Sequence, residues 1–206
     1  MIANVIDQIV GFIRLHAEWT GPIIFLVTFA ESFAFVSLVV PGTAIMIAAG
    51  ALVPEGAIPL LPLVVGGMTG ATLGDGVSYW IGLRFGHLIP GMWPFSKRPE
   101  LLRTGHAFFE RHGGKSIFIG RFFGPVRAVV PLVAGILEMP AGYFWLANIG
   151  SAILWAPAVA LPGMAAATIW PILDREQGWQ PYALLAAILL LAVAAWLYWT
   201  YRNGKR

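Results

Sequence analysis

Two arginines lie within a stretch that is otherwise apolar enough to enter a bilayer. The stretch reads GRFFGPVRAVVPLVAG and places Arg121 and Arg127 six residues apart. An arginine at the bilayer centre costs about 2.5 to 3.5 kcal/mol on insertion scales, so a pair of them needs a compensating role. Arg121 can extend toward the nearer interface. Arg127 lies near the middle of the segment 116–137, which is too deep for that solution.

Gly124 and Pro125 lie between the arginines and predict a break in the helix. On an unbroken helix, side chains six residues apart point about 120° away from each other. A break lets both guanidinium groups converge, and it is tolerated at membrane depth where the backbone lines a cavity. A helix that begins at such a break aims free N–H groups into that cavity. Because the planar fork of arginine suits phosphate, the pattern predicts an anion site.

Two carboxylates complete the set of charges at membrane depth. Glu31 is the only charged residue in the apolar region 19–53, and Asp75 lies between two glycines in the apolar region 60–85. An intramembrane carboxylate is a candidate proton carrier or counter-ion. The two acids balance the two arginines, which predicts one central site. The alternative interpretation is that the four residues pair only to hold the fold together.

The composition indicates an integral membrane protein. Of the 206 residues, 58% are hydrophobic and 11% are charged, against roughly 25% charged in soluble domains. The absence of cysteine excludes disulfides and thiolate metal sites. The four histidines lack ligand spacing and no G-x-S-x-G motif occurs, so we expect no metal, no cofactor and no enzyme activity.

The distribution of basic residues predicts the orientation of the chain. Lysine and arginine are concentrated in 84–115 and 202–206, which the positive-inside rule places in the cytoplasm without invoking nucleic acid. We therefore expect the span 60–86 to run inward, 141–170 outward and 182–201 inward, with a cytoplasmic carboxyl terminus. The amino terminus has no basic leader or cleavage site, so we expect no cleaved signal peptide.

The order of the segments repeats, which predicts an all-α membrane fold built as an inverted repeat. Amphipathic helices over 1–18 and 98–113 precede apolar segments broken by Pro and Gly over 19–53 and 116–137. The spans 60–86 and 141–170 follow, and 182–201 adds a last transmembrane helix. Such inverted repeats are typical of transporters with a site near the midplane. The alternative is a plain helical bundle in which the prolines only kink the helices.

Four motifs resemble the DedA family of bacterial inner-membrane proteins, also called SNARE-associated or VTT-domain proteins. They read ESFAFVSLVVPGT, GDGVSYWIG, GRFFGPVRAVVPLVAG and NIGSAILW. The resemblance implies two opposed re-entrant hairpins and a role in translocating lipid carriers such as undecaprenyl phosphate, or in scrambling phospholipids. It also implies functional roles for Glu31, Arg121, Arg127 and Asp75. Many members thought to be proton-coupled carry an acid directly after the Pro-Gly of the first hairpin, where this chain has Thr43.

We therefore expect an inner-membrane transporter of a lipid phosphate whose partners are membrane lipids and protons. Arg121 and Arg127 would bind the phosphate, with Glu31, Asp75 and Thr43 in the same site. Glu31 and Asp75 would carry protons. The alternative is a proton-coupled antiporter for small cations or drugs, with the two carboxylates as ligands and the arginines tuning them.

Overall fold

The computed structural model describes residues 2–37, 39–122 and 126–175, and the regular elements in these ranges are all helices. The all-α fold is therefore confirmed for this part of the chain. The predicted break at Gly124 and Pro125 and the predicted last span 182–201 lie outside the described residues. Residues up to Ala165 form one compact unit. A second unit begins at Ala166, and its described part continues the last helix as far as Arg175.

Four helices make up the first half of the described chain. They are α1 (Ile2–Leu15), α2 (Thr20–Ser32), α3 (Gly42–Ala51) and α4 (Leu60–Phe85). Helix α1 carries an apolar face whose Ile13 is fully buried, whereas Arg14 and Leu15 are exposed. The chain bends by 117° between α1 and α2. This bend lets an amphipathic helix lie along an interface while the apolar α2 leaves it.

The second half repeats this order of elements. It comprises α5 (Pro99–His112), α6 (Ser116–Gly120), α7 (Val126–Ile136) and α8 (Ala141–Arg175). Gly113 caps the end of helix α5, with a φ of 57° that suits glycine and an N–H that donates to the carbonyl of Phe109. Amphipathic, short apolar and long apolar helices thus follow one another in both halves. This succession is the one that the sequence predicts for the repeat.

Two described helices are long and apolar enough to cross a membrane. They are Leu60–Phe85 and Ala141–Pro171, and the bent pair α1 and α2 would make a third if it forms one span. Helix α3 has only 10 residues, which correspond to about 15 Å at 1.5 Å per residue. This length is about half the thickness of a 30 Å hydrocarbon core, so α3 alone is too short to cross it.

Glycines of α4 allow α2 to approach it closely. A Cβ atom added to Gly66 or Gly74 would lie 2.5 Å from a backbone carbonyl oxygen of α2, and one added to Gly70 would also clash there. These three glycines are spaced by four residues and lie on one face of the helix. Small residues bring helix backbones together in membranes, where helix association depends on packing rather than on the hydrophobic effect.

Glycines also join each short helix to the long helix of the opposite half. Gly50 of α3 lies against the carbonyl of Ala160 in α8, and Gly163 of α8 lies against the carbonyl of Ile47 in α3. In each helix the contacted carbonyl lies three positions before the glycine. Gly135 of α7 and Gly82 of α4 contact each other's helices in the same register. The four contacted carbonyls belong to Ile47, Ala160, Tyr79 and Leu132. The two halves therefore interlock through equivalent contacts.

Candidate functional site

Arg121 follows the short helix α6 and is buried between α4 and α8. Its side chain is 3% exposed and forms an ion pair with Asp75 of α4. Its Nη2 donates hydrogen bonds to Asp75 Oδ2 and Asn148 Oδ1, and its Nε donates to Ser151 Oγ at 2.9 Å. Asp75 is buried as well. The guanidinium group thus has a full counter-charge and two polar side chains around it.

The partners of Arg121 are themselves fixed by the backbone. Asn148 Nδ2 donates to the carbonyl of Thr72 at 3.0 Å, and the Ser151 hydroxyl donates to the carbonyl of Asn148 at 2.9 Å. These contacts orient the Asn148 amide so that its oxygen accepts from Arg121. The cluster joins α4, α8 and the end of α6. It therefore ties three elements together at a buried polar point.

Arg127 lies in α7 and contacts the first half of the chain. Its Nη2 is 3.4 Å from Glu31 Oε2, and both side chains are 12% exposed. Its Nη1 donates to Thr43 Oγ1 at 2.9 Å, and Nη2 is 3.5 Å from Ser32 Oγ. The ion pair is longer and more accessible than the one between Arg121 and Asp75. Arg127 thus has weaker contacts with its counter-ion.

Thr43 connects the two members of this second pair. Its hydroxyl donates to Glu31 Oε1 at 2.6 Å and accepts from Arg127. Glu31 Oε2 is buried and accepts no hydrogen bond from the described residues. A Cβ atom on Gly42 would lie 2.6 Å from that same oxygen, so a larger residue at the start of α3 would force the Glu31 carboxylate to shift.

Trp155 of α8 lies beside both arginines. The centre of its indole ring is 4.7 Å from Arg127 Cζ and 6.0 Å from Arg121 Cζ, and the residue is 3% exposed. A cation over an aromatic face within about 6 Å is attracted by the ring quadrupole. The ring therefore stabilises both guanidinium groups, in addition to the carboxylate that each of them already faces.

The structure brings all five residues that the sequence singles out into one cluster. Glu31 and Thr43 meet Arg127, and Asp75 meets Arg121. Sequence reasoning missed Ser32, Asn148, Ser151 and Trp155. The last three lie at i, i+3 and i+7 within the motif NIGSAILW, a spacing that places them on one helix face. That spacing was the available signal.

The charges of this cluster sum to zero when all four ionisable residues are charged. Two guanidinium groups face two carboxylates, so the site as it stands offers no net attraction to an ion. Loss of one negative charge would leave an unbalanced guanidinium in a buried setting, which an anion would then stabilise. No group of residues suited to hold a metal ion occurs in the described ranges.

Comparisons with known proteins place the chain among membrane proteins. Residues 40–165 match the model of the VTT domain. The inner membrane protein YabI of Escherichia coli K12 is 38% identical over 198 residues, which cover 94% of this chain and 77% of that protein. The protein DedA of the same strain is 34% identical over 164 residues, covering 78% and 74% respectively. No solved structure matches the chain significantly.

The match to the VTT domain covers the end of the first broken apolar segment, from residue 40, and the whole of the second, 116–137. Of the residues that form the central cluster, it leaves out Glu31 and Ser32 and includes Thr43, Asp75, Arg121, Arg127, Asn148, Ser151 and Trp155. The similarity to YabI extends over nearly the whole chain. Together with the apolar helices that are long enough to span a bilayer, these relationships show that the chain is a membrane protein of the VTT-domain (DedA) family.

Proposed function

We propose that this protein moves a lipid phosphate, such as a polyprenyl phosphate, across the membrane. The observation that carries the proposal is the difference between the two arginines. Arg121 is enclosed by Asp75, Asn148 and Ser151, whereas Arg127 is more accessible and lies 3.4 Å from its counter-ion. Arg121 thus maintains the fold of the site, and Arg127 is the cation that can exchange its partner.

A phosphate head group can replace Glu31 as the partner of Arg127. The guanidinium fork donates two parallel hydrogen bonds to phosphate, and charge-assisted bonds of this kind are roughly twice as strong as neutral ones. Thr43 and Ser32 add two hydroxyl groups beside the same guanidinium. Arginine and hydroxyl donors together form a site that matches the oxygens of a phosphate.

Protonation of Glu31 supplies the charge that the exchange needs. When Glu31 accepts a proton, the cluster gains one positive charge, and a phosphate monoanion restores neutrality. Uptake of the proton and uptake of the anion then favour each other, because each offsets the buried charge left by the other. Release of the proton re-forms the pair between Glu31 and Arg127 and expels the phosphate.

The lipid tail stays in the bilayer while the head group passes between the two short helices. We place the protein in the bacterial inner membrane, with the basic segments 84–115 and 202–206 on the cytoplasmic side. In this orientation α3 and α7 enter from opposite faces and both reach the central cluster. Alternating exposure of that cluster to the two faces would complete transport.

The second candidate is an antiporter for small cations that uses Glu31 and Asp75 as ligands. Both carboxylates are already paired with arginines, and Trp155 lies beside both guanidinium groups. A cation entering the site would meet two fixed positive charges at close range. The arrangement therefore supports an anion better than a cation.

The test is translocation of a polyprenyl phosphate by purified protein in vesicles. Wild type should move the phosphate lipid, and Arg127→Gln should abolish the movement while leaving the protein folded. Arg103→Gln is a matched control, because Arg103 is exposed on α5 and lies outside the cluster. The proposal would be wrong if folded wild-type protein moved no lipid but took up a soluble cation in exchange for protons. That result would favour the antiporter.

A further inference from the structure

A cavity with a mainly apolar wall and a few polar groups lies outside the central cluster, at the corner formed by the end of α5 and the connection between α7 and α8. Its volume is about 500 Å³, within the range of small-molecule sites. None of the residues of the central cluster lines it. The polar side chains that line it belong to His112, Lys115, Glu138 and Tyr143.

The backbone at Glu138 is strained. Glu138 has a φ of 54°, the only non-glycine residue with positive φ in the described ranges. Its N–H donates to the carbonyl of Gly135, and the next N–H, of Met139, donates to Ala134. This pair of bonds is the Schellman motif, in which the residue with positive φ is usually glycine. A glutamate at this position costs stability that a glycine would not.

Strained residues are retained where the surrounding structure uses them, and they cluster at functional sites. No ion pair joins Glu138 to another residue of the described ranges, so its strain is not offset by an ion pair. Its side chain is exposed and lines the cavity. The strained position therefore presents a free carboxylate to this space.

Lys115 presents the opposite charge to the same cavity. It is exposed, and within the part of the chain that the structure describes it pairs neither with Glu138 nor with another carboxylate. His112 adds an imidazole whose Nδ1 contacts the carbonyl of Phe108 at 2.9 Å, which leaves Nε2 as its remaining polar atom. A positive and a negative side chain thus line the same cavity without forming an ion pair with each other.

Apolar side chains form the rest of the cavity wall. Phe109, Leu137, Met139 and Pro140 supply apolar surface, and the ring of Tyr143 packs against the backbone at Gly114. A Cβ at Gly114 would lie 2.8 Å from that ring, so the glycine permits this packing. An amphipathic helix that ends beside the start of a membrane-spanning helix lies at the level of the lipid head groups, where tyrosine and lysine are common.

We propose that this corner cavity binds the zwitterionic head group of a phospholipid that carries a phosphate and a primary ammonium. Glu138 accepts hydrogen bonds from the ammonium, and Lys115 and His112 contact the phosphate. The apolar wall covers the glycerol end of the acyl chains. The site lies apart from the central cluster and does not depend on the transport proposed above, so it can bind its lipid whether or not the protein moves a lipid phosphate.

The test measures lipid retention by native mass spectrometry of the full chain in detergent. The protein is titrated with phosphatidylethanolamine, phosphatidylcholine and phosphatidylglycerol. We expect phosphatidylethanolamine to bind at least tenfold more tightly than the other two. The quaternary ammonium of phosphatidylcholine cannot donate to Glu138, and phosphatidylglycerol has no cation. Soluble phosphoethanolamine is added as a competitor to separate recognition of the lipid from recognition of the free head group.

Variants at position 138 separate strain from binding. Glu138→Gly should raise the melting temperature by a few degrees and abolish the preference for phosphatidylethanolamine. Glu138→Ala should abolish the preference without the gain in stability, because alanine keeps the strained φ. Glu110→Gln, an exposed glutamate of α5 that does not line the cavity, should change neither property.

Three results would overturn the proposal. Equal affinity for the three lipids would remove the zwitterionic head group as the ligand. Full retention of the preference in Glu138→Gly would remove the role of Glu138. Displacement of the lipid by phosphoethanolamine at equal concentration would make the free head group, and not a membrane lipid, the ligand of this cavity.

Discussion

Arg127 of the second half donates a hydrogen bond to Thr43 of the first half, with 2.9 Å between Nη1 and Oγ1. The same hydroxyl donates to Glu31 at 2.6 Å, so one threonine connects the two members of the exchangeable ion pair. In the sequence each residue follows a proline by two positions. The starts of the two short helices therefore meet at the central cluster.

Replacing Thr43 by valine should weaken this connection without changing the shape of the side chain much. The variant leaves Glu31 Oε1 and Arg127 Nη1 each without a neutral partner, which costs about 1 to 3 kcal/mol for a buried group. We expect a lower melting temperature and a reduced rate of lipid translocation. Thr69→Val is a suitable control, since the hydroxyl of Thr69 contacts only carbonyls of its own helix. Equal effects of the two replacements would contradict a special role for Thr43.

Arg121 should be required for folding rather than for exchange. Arg121→Gln leaves the buried carboxylate of Asp75 without its partner, and breaking a buried ion pair in this way costs about 3 to 5 kcal/mol. We expect poor expression and early thermal unfolding in detergent. The double variant Arg121→Gln with Asp75→Asn removes both charges and should recover most of the stability. A double variant as unstable as Arg121→Gln alone would show that Asp75 is not the reason for the loss.

Trp155 should stabilise Arg127 through the face of its ring. Trp155→Leu removes the ring, whereas Trp155→Phe keeps a smaller aromatic face, so the loss of stability should be greater for leucine. A desolvated contact of this kind contributes about 2 kcal/mol. A double-mutant cycle between Trp155 and Arg127, measured by thermal unfolding, isolates the contact. Tryptophans that carry more fluorine atoms at position 155 should show a progressively smaller coupling energy. If the losses of stability in the two single variants simply add in the double variant, the contact between Trp155 and Arg127 is excluded.

The glycines that join the halves should not tolerate a methyl group. Gly82→Ala and Gly163→Ala each place a Cβ against a backbone carbonyl of the opposing short helix. Backbone cannot move aside as a flexible side chain can, so we expect a large fall in melting temperature for both. Gly150→Ala on α8 is the matched control, because nothing lies within 4 Å of the position of its Cβ. That replacement should be neutral or stabilise the helix by about 0.5 to 1 kcal/mol.

Much of the fold follows from patterns that the sequence contains. The length of the apolar runs predicts α4 and α8, and the periodicity of apolar residues predicts the amphipathic α1 and α5. The charges at membrane depth single out Glu31, Asp75, Arg121 and Arg127, since an unpaired charge there is too costly to occur without a partner. These inferences depend on local composition and on the cost of burying charge.

The sequence does not decide which acid pairs with which arginine. That choice depends on how α4, α7 and α8 pack, and the packing is set by contacts between backbones at glycines distant in sequence. The sequence also does not predict the roles of neutral residues such as Asn148 and Trp155, because an amide or an indole in an apolar helix has several possible roles. Glu138 is a similar case, as its strain arises from the helix end and not from its neighbours in sequence.

The most direct test of the central claim is translocation of a polyprenyl phosphate in vesicles with and without an imposed pH gradient. The comparison is between wild type, Arg127→Gln and Glu31→Gln, with an ordinary phospholipid as the control lipid. If protonated Glu31 releases Arg127 for the phosphate, the gradient should accelerate wild type, Arg127→Gln should be inactive, and Glu31→Gln should be insensitive to the gradient. Phosphate-lipid movement at wild-type rate in folded Arg127→Gln would contradict the account.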